Sequence, residues 1–458
     1  MSAVHERAAE LLERELERFE REHPRSGELA RRASASLLSG VPMHWMVRWP
    51  GAYPVYVQEA WGARFRDVDG IEYVDFCLGD TGAMTGHSPE PVVRAVAKQA
   101  ARGITLMLPS EEALWVGEEL TRRFGLARWQ FALTATDANR FAIRLARHIT
   151  RRPKVLVYNW CYHGTVDESF AALDGGRVVE REGNLGPPVP LDMTTRVVEW
   201  NDVVALHREL AHEDVACVLA EPALTNIGIV HAQPGYHEAL REATRETGAL
   251  LIIDETHTLC AGSGGYTQAY GLDPDLLTVG KAIGSGIPSA AYGFSEEVAE
   301  RVEASIDRDD SDVGGVGGTL AGNVLSLAAV RATLEHVLTE DAFDRMIALG
   351  ERFEAGVQGV IDEHALPWHV TRLGCRVEYL FRPERPVTGS DAAAGSDHLL
   401  DRLIHLYALN RGVLLTPFHN MALMSPATSE ADVDLHTEVF GEVAQELTRP
   451  LSRLRPRG

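Results

Sequence analysis

Two apolar runs decide the fold: ALLIIDE at residues 249–255 and LLTVGKAIGSGIP at residues 276–288. Continuous apolar runs of this length are typical of strands buried on both faces, as in parallel sheets. The first run ends in Asp254 and Glu255, and the second delivers Lys281 among glycines. Because ligands bind at the carboxyl ends of such strands, these acids and this lysine are candidate functional residues.

The same pattern extends outward from the two runs. Four further apolar runs alternate with helical stretches between about residues 86 and 335, namely WQFALTA, KVLVYN, VACVLAEP and SAAYGFS. Strands that alternate with helices predict an α/β domain whose mostly parallel sheet carries helices on both faces.

The flanking segments follow a different pattern. Residues 1–85 begin with a charged amphipathic helix and continue through an irregular stretch at 40–54 into a hairpin that turns at Asp69-Gly70. Residues 336–458 combine helical patterns with strands such as CRVEYLF. We therefore predict a large domain at 86–335, and a smaller α+β domain formed by 1–85 and 336–458.

Composition excludes several classes of protein. In 458 residues, 45% are hydrophobic and 24% charged, which is typical of globular proteins rather than fibrous or disordered ones. A net charge of −22 opposes nucleic-acid binding. Five scattered cysteines without a CxxC pair predict neither a disulfide framework nor a metal site. No apolar window is long enough for a membrane span, and the first helix is not a signal segment, so we expect a cytoplasmic protein.

The residues alone leave the chemistry open. Partial burial would disfavour the charged form of Lys281 and make its amine nucleophilic, but Lys281 and Asp254 equally fit a buried ion pair. A strand ends at Thr134-Ala135-Thr136 and a helix begins there, which suits a phosphate but also an ordinary helix cap. The glycine-rich GGVGGTLAGN offers Thr319, although a flexible loop explains it as well.

The order of these motifs resembles one family from about residue 38 to the C-terminus. It resembles the class III aminotransferases of the fold type I pyridoxal 5′-phosphate (PLP) enzymes, especially the glutamate-1-semialdehyde aminomutase branch and its β-amino acid and amine aminotransferase relatives. The resemblance implies PLP as cofactor, a mostly parallel seven-stranded sheet in the large domain, and a homodimer with shared active sites.

The resemblance also implies roles for individual residues. Lys281 would hold PLP as a Schiff base and carry a proton between substrate and cofactor, and Asp254 would pair with the pyridine nitrogen. Tyr162 would stack on the ring, although the residues alone favour a place in the core, and Thr319 would reach the phosphate of the neighbouring subunit. The cofactor-binding set is Thr134, Ala135, Thr136, Tyr162, His163, Gly164, Glu221, Asp254, Thr256, Lys281 and Thr319. Glu221 would lie near the ring substituents, and a structural ion pair is its alternative.

The sequence departs from the family pattern in two places. Thr256 stands where relatives carry an apolar residue beneath the ring, so its hydroxyl needs a partner. Trp45 or Met46 stands where the aminomutase and β-amino acid branches place a carboxylate-binding arginine. We expect either a carboxylate held by Arg48 or Arg376, or an apolar pocket that includes Trp45. The alternatives are that the aromatic residues of this stretch fill the seam between domains, and that Arg376 is a surface or interface charge.

These features lead to a functional expectation. The leading hypothesis is an aminotransferase that moves an amino group between an amine or amino acid and a keto acid or aldehyde. An aminomutase, epimerase or lyase needs the same residues, but the missing arginine argues against a semialdehyde substrate. A non-catalytic binding protein with a PLP fold is the third hypothesis, and the presence of both Lys281 and Asp254 argues against it.

Overall fold

The computed structural model describes residues 3–185, 189–306, 310–417 and 419–449. The α-helices are α1 (Ala3–Glu22), α2 (Pro24–Ala33), α3 (Glu90–Ala100), α4 (Glu111–Phe124), α5 (Ala135–Thr150), α6 (Val203–Leu210), α7 (Tyr236–Thr247), α8 (Gly265–Tyr270), α9 (Glu296–Ser305), α10 (Val324–His336), α11 (Glu340–Glu363), α12 (Gly389–Ala393), α13 (His398–Leu409) and α14 (Glu430–Thr448).

The strands are β1 (Val57–Trp61), β2 (Arg64–Asp67), β3 (Glu72–Asp75), β4 (Arg128–Ala132), β5 (Lys154–Tyr158), β6 (Ala171–Asp174), β7 (Arg177–Glu180), β8 (Thr195–Val198), β9 (Val215–Ala220), β10 (Leu250–Asp254), β11 (Leu276–Val279), β12 (Ala290–Phe294), β13 (His369–Leu373), β14 (Arg376–Leu380), β15 (Val413–Leu414) and β16 (Met421–Leu423). Short 3₁₀ helices lie at Leu38–Gly40, His44–Arg48, Asp167–Phe170, Leu191–Met193, Thr258–Ala261, Lys281–Gly284 and Val313–Gly315.

The chain forms two compact units. The large unit comprises Thr81–Arg345 and Arg385–Ala394. The small unit comprises the described residues up to Asp80, Met346–Glu384, and those from Gly395 onward. Segments from both ends of the sequence therefore build the small unit, and the middle of the chain builds the large one.

A seven-stranded sheet forms the centre of the large unit, in the order β4-β12-β11-β10-β9-β5-β8. The pairs among β8, β5, β9, β10 and β11 are parallel, and β12 runs antiparallel to both of its neighbours. Six strands coincide with the apolar runs quoted above, and β8 is an additional short strand. The predicted α/β fold with a mostly parallel sheet is confirmed.

The sheet is buried because its strands are apolar on both faces. Every residue of β9, β10, β11 and β12 is buried. Helix α5 packs against this sheet through Ala138, Ala142 and Ala146, which lie on one helical face at spacings of four residues. Each fully buried Leu, Ile or Val side chain contributes about 1.5–3 kcal/mol, and this core holds the strand ends in fixed positions.

The small unit is α+β. Strands β2 and β3 form the predicted hairpin that turns at Asp69-Gly70, β1 pairs antiparallel with β2, and β15 runs parallel to β3. A second sheet has the order β13-β14-β16. Its central strand β14 is buried at every position, so the interpretation of Arg376 as a surface charge is wrong. Arg376 is 1% exposed, because β14 has a strand on each side. Its guanidinium lies 3.5 Å from the Glu378 carboxylate.

Candidate active site

The carboxyl ends of β10 and β11 form the base of the site. The two strands are parallel, and Asp254 at the end of β10 pairs in register with Thr278 of β11. Lys281 follows β11 after Gly280 and opens a short 3₁₀ helix. Two side chains 27 positions apart (281 − 254) are thereby brought to the same edge of the sheet.

A cavity of about 330 Å³ lies at this edge of the large unit. Eight of the residues predicted from the sequence line it: Thr134, Ala135, Thr136, Tyr162, Gly164, Asp254, Thr256 and Lys281. The other lining residues are Gly82, Leu133, His257, Gly286, Ile287, Pro288 and Ser289. The cavity therefore combines apolar walls with a few polar groups, which is the usual character of a small-molecule site.

Asp254 is held in place by three donors. Its Oδ2 accepts hydrogen bonds from Asn139 Nδ2 at 2.8 Å and from His163 Nδ1 at 2.9 Å, and its Oδ1 accepts one from the Thr256 backbone N–H at 3.0 Å. Burial alone would raise the pKa of Asp254, but the hydrogen bond and the charge of His163, with the bonds from Thr256 and Asn139, lower it. The carboxylate therefore stays ionised inside the protein.

His163 is the charged partner in this arrangement. Burial opposes its imidazolium form, whereas Cys161 and Asp254 raise the pKa of His163 to about 10. His163 itself is not among the residues that line the cavity. It acts on the cavity through Asp254, whose position and charge it fixes.

The N-terminus of α5 forms a second wall. Thr134 is the N-cap, and its Oγ1 accepts a hydrogen bond from the Asp137 backbone N–H at 3.1 Å and donates one to the Asp137 carboxylate at 2.8 Å. The backbone N–H groups of the first helical turn, at Ala135 and Thr136, have no partner within an α-helix and suit an anion. The Thr134 hydroxyl, which was a predicted phosphate contact, is already bonded to Asp137.

Gly164 allows the chain to approach this helix end closely. Its φ is +75°, and a Cβ built there would lie 2.0 Å from Thr136 Oγ1. That oxygen accepts a hydrogen bond from the Thr165 backbone N–H at 3.0 Å. Any side chain at position 164 would therefore displace Thr136 from the cavity wall.

Lys281 presents its amine to the cavity from a strained backbone. Its φ is +51°, in the left-handed region that non-glycine residues rarely adopt. Its Nζ lies 2.9 Å from His257 Nε2. Such strain is often located at functional sites.

The residues fit PLP, the cofactor that the family resemblance implies. A helix N-terminus faces the cavity for a phosphate, an ionised carboxylate for a pyridine nitrogen, an aromatic ring at Tyr162, and an amine at Lys281. The buried Oγ1 of Thr256 has no hydrogen-bond partner among the described residues, although Thr256 lines the cavity. A bound group with a polar atom at that point would satisfy the hydroxyl.

Four other predicted residues lie away from the cavity lining. Glu221 is 2% exposed and accepts hydrogen bonds from the backbone N–H of Tyr162 and from Thr225, while burial raises its pKa. Thr319 is exposed in the loop before α10. Trp45 and Arg48 belong to the small unit, where both are exposed.

Sequence reasoning missed two polar residues of the site. Asn139 bridges the strands, because it donates to Asp254 and its Oδ1 accepts from Thr278 Oγ1 at 2.7 Å. His257 contacts Lys281. The available signals were weak: Asn139 follows Thr136 by three positions, and His257 directly follows Thr256.

Metal-binding clusters and membrane-spanning helices are both absent from the residues that the structure describes. Among the described residues, no group of His, Cys, Asp or Glu is placed to hold a metal ion. No helix within the described ranges is both long enough and apolar enough to cross a membrane.

Comparison with known proteins places the chain in a family. The family model described as aminotransferase class-III matches residues 46–442. Glutamate-1-semialdehyde 2,1-aminomutase of Persephonella marina is 32% identical over 394 residues, which cover 84% of this chain and 90% of that protein.

Solved structures agree with this assignment. A variant of a glutamate-1-semialdehyde-aminomutase from Pseudomonas aeruginosa PAO1, in complex with PMP, is 51% identical with a TM-score of 0.94, covering 96% of this chain and 98% of that one. A β-phenylalanine aminotransferase from Variovorax paradoxus is 25% identical with a TM-score of 0.84, covering 95% and 97%. The fold, the cavity and these similarities lead to one conclusion: the chain belongs to the class III aminotransferase family and is a PLP-dependent enzyme.

Proposed function

We propose that the protein is an aminomutase of the glutamate-1-semialdehyde type, which moves an amino group between adjacent carbons of one substrate. The observation that carries this choice is the 51% identity, over 96% of the chain, to a protein named glutamate-1-semialdehyde-aminomutase. This proposal reverses the order of the two hypotheses drawn from the sequence. The cavity supplies the groups that either reaction needs.

The roles of the chain's own residues follow from their chemistry. When bound, PLP supplies an aldehyde that condenses with amines and a ring that accepts electrons. The Lys281 amine would hold this cofactor through its aldehyde, and the free amine would carry a proton to or from the substrate carbon. Asp254, kept ionised by His163 and Asn139, would hold the proton on the ring nitrogen.

The remaining residues of the cavity wall would position the cofactor and enclose the reacting atoms. The N–H groups of Ala135 and Thr136 would bind the phosphate, and Tyr162 would provide an aromatic surface for the ring. Leu133, Ile287 and Pro288 exclude water from the reacting atoms.

We further propose that Thr319 contacts the cofactor of a second copy in a homodimer. Light scattering would test the homodimer, and the PLP affinity of Thr319→Val would test the contact.

A turnover experiment with a single substrate tests the proposal. The PLP-loaded protein receives glutamate-1-semialdehyde and no other amine or keto acid. An aminomutase exchanges the amino group on C2 with the oxygen on C1, and so produces a 5-amino-4-oxo acid of the same mass over many turnovers per site. An aminotransferase instead passes the amino group to a second molecule, and so converts the semialdehyde into dioxo and diamino acids whose masses differ from that of the substrate. Chromatography that separates the isomers is the measurement, and Lys281→Ala is the inactive control.

The runner-up function is intermolecular amino transfer. The absence of an arginine at Trp45 or Met46 favours it, since the family resemblance implies a carboxylate-binding arginine at that position for a semialdehyde substrate. Sustained turnover only with both an amine donor and a keto or aldehyde acceptor, and no isomer from the semialdehyde, would establish this second function in place of the first.

A further inference from the structure

The imidazole of His257 joins the amine of Lys281 to a buried hydroxyl. Its Nε2 lies 2.9 Å from Lys281 Nζ, and its Nδ1 lies 3.1 Å from Thr81 Oγ1. All three residues belong to the large unit. His257 and Lys281 both line the cavity, and Thr81 lies behind His257 with no exposed surface.

These contacts indicate which nitrogen of the imidazole carries the hydrogen. A lysine ammonium has three donors and no acceptor, so its partner nitrogen on His257 must accept. If Nε2 accepts, Nδ1 carries the hydrogen of the neutral ring and donates it to Thr81 Oγ1. Thr81 Oγ1 accepts that hydrogen and thereby holds the imidazole in the tautomer whose lone pair points at the reacting amine.

Both partners of His257 lie on strained backbone. Thr81 has a φ of +80° and Lys281 has a φ of +51°. A left-handed conformation is unfavourable for a β-branched residue such as threonine and costs on the order of 1–3 kcal/mol. The fold tolerates this cost at the two positions whose side chains meet the same imidazole.

We propose that His257 is a catalytic residue that exchanges a proton with Lys281, and that Thr81 is the positioning residue for His257. An N–H bond of the Lys281 ammonium breaks and an Nε2–H bond forms, which frees the amine to attack an aldehyde carbon. After the N–C bond forms, the attacking nitrogen gives one proton to the former aldehyde oxygen and the imidazolium returns the other. The C–O bond then breaks, water leaves, and a C=N bond to Lys281 remains. The proposal rests on the proposed function in one respect: it requires Lys281 to be the reacting amine.

The sequence makes a direct test possible, because the chain contains three lysines: Lys98, Lys154 and Lys281. The full-length protein freed of cofactor is mixed with PLP, quenched with borohydride at timed intervals, and digested. Peptide mass spectrometry then gives the rate of covalent capture at each lysine. Lys98 is exposed and Lys154 pairs with Asp214, so both serve as internal references.

His257→Ala should slow capture at Lys281 by about 10²-fold, the usual contribution of a general acid–base group. Added imidazole should restore much of the rate, which it would not do for a side chain with a purely structural role. Affinity for PMP, which has no aldehyde, should stay unchanged and shows that the variant is folded. His148→Ala is the matched control, because His148 is also half-buried and its ring hydrogen-bonds to the Ser305 carbonyl oxygen, away from the residues that line the cavity.

A second pair of variants separates proton exchange from orientation. His257→Gln retains a hydrogen-bonding group but cannot take a proton, and it should capture PLP as slowly as His257→Ala. Thr81→Val should slow capture, whereas Thr81→Ser should retain the wild-type rate. Wild-type capture by His257→Ala, or slow capture by His257→Ala with wild-type capture by His257→Gln, would overturn the proton exchange. Lys281→Ala tests the underlying function separately: a reducible PLP bond in that variant would refute Lys281 as the reacting amine whatever the His257 variants do.

Discussion

The cavity around Asp254 and the short helix His44–Arg48 are both predicted to bind small molecules, but the first is buried and the second is exposed. Asp254 is 3% exposed and accepts three hydrogen bonds. In contrast, no residue of His44–Arg48 is buried, and Trp45 is 37% exposed. The first region is fixed by the core of the large unit, and the second lies at the surface of the small unit.

This difference follows from what each region has to do. Chemistry on one cofactor needs reacting groups held within a fraction of an ångström, which strand ends on a packed sheet provide. Recognition of one substrate among many related ones needs a segment whose sequence can vary without loss of the fold. Exposed loops tolerate such variation. Variants in the two regions should therefore differ in which property they impair.

Asp254→Asn should have the largest effect. It leaves His163 as a buried cation without its carboxylate, and breaking a buried pair costs about 3–5 kcal/mol. We expect the free energy of unfolding to fall by about that amount and turnover to fall by about 10²-fold or more. Urea unfolding and steady-state kinetics are the measurements. An unchanged midpoint would show that the buried pair does not stabilise the large unit.

The same pair predicts a pH dependence of stability. Because the folded state raises the pKa of His163 to about 10, the stability it contributes is fully present below the unfolded value of roughly 6.5. This contribution is lost as the pH rises through the folded pKa. We expect the wild-type free energy of unfolding to decline between these values. Asp254→Asn should show a shallower decline, and equal slopes would contradict the assignment.

Gly164→Ala should have the next largest effect. The new Cβ would meet Thr136 Oγ1 at 2.0 Å in a left-handed conformation. We expect a loss of about 3 kcal/mol in unfolding free energy together with weaker PLP affinity, from backbone strain and overpacking combined. Gly125→Ala is the matched control, because Gly125 has a φ of +78° and no atom within 4 Å of a built Cβ. It should lose about 1 kcal/mol and retain PLP affinity.

Thr256→Val tests whether the unsatisfied hydroxyl serves the cofactor. The replacement keeps the shape and removes a buried group that has no partner in the described part of the chain. In the cofactor-free protein we expect unfolding free energy to stay equal or rise by about 1 kcal/mol. PLP affinity should fall by about fivefold, the value of one neutral hydrogen bond. Equal PLP affinity in a fluorescence titration would show that the cofactor does not reach this hydroxyl.

Arg48→Ala should have the smallest effect on stability, within about 0.5 kcal/mol, because the residue is exposed. If Arg48 binds a substrate carboxylate, KM should rise for an acidic substrate while the rate of PLP capture stays unchanged. Arg94→Ala, an exposed arginine on α3, is the control and should leave KM unchanged. A slower PLP capture by Arg48→Ala would break the separation between the two regions.

Local sequence patterns predict much of the fold and some residues of the candidate site. Apolar runs identify six of the seven sheet strands, and the acid at the end of ALLIIDE predicts where a ligand binds. The strand β8 was missed because its four residues include only two valines next to a polar pair. Arg376 was misjudged because a charge inside a strand is normally exposed, and only the neighbouring strands of β14 reveal its burial.

The sequence by itself determined the fold class, the family resemblance and the candidate lysine and aspartate, because these depend on the order of residues along a strand or turn. Only the tertiary structure decided that Asn139 and His163 hold the charge of Asp254, and that Thr81 and Lys281 meet at His257. Thr81 and His257 are 176 positions apart. Contacts over such separations are set by the packing of the whole sheet and its helices, which no local pattern specifies.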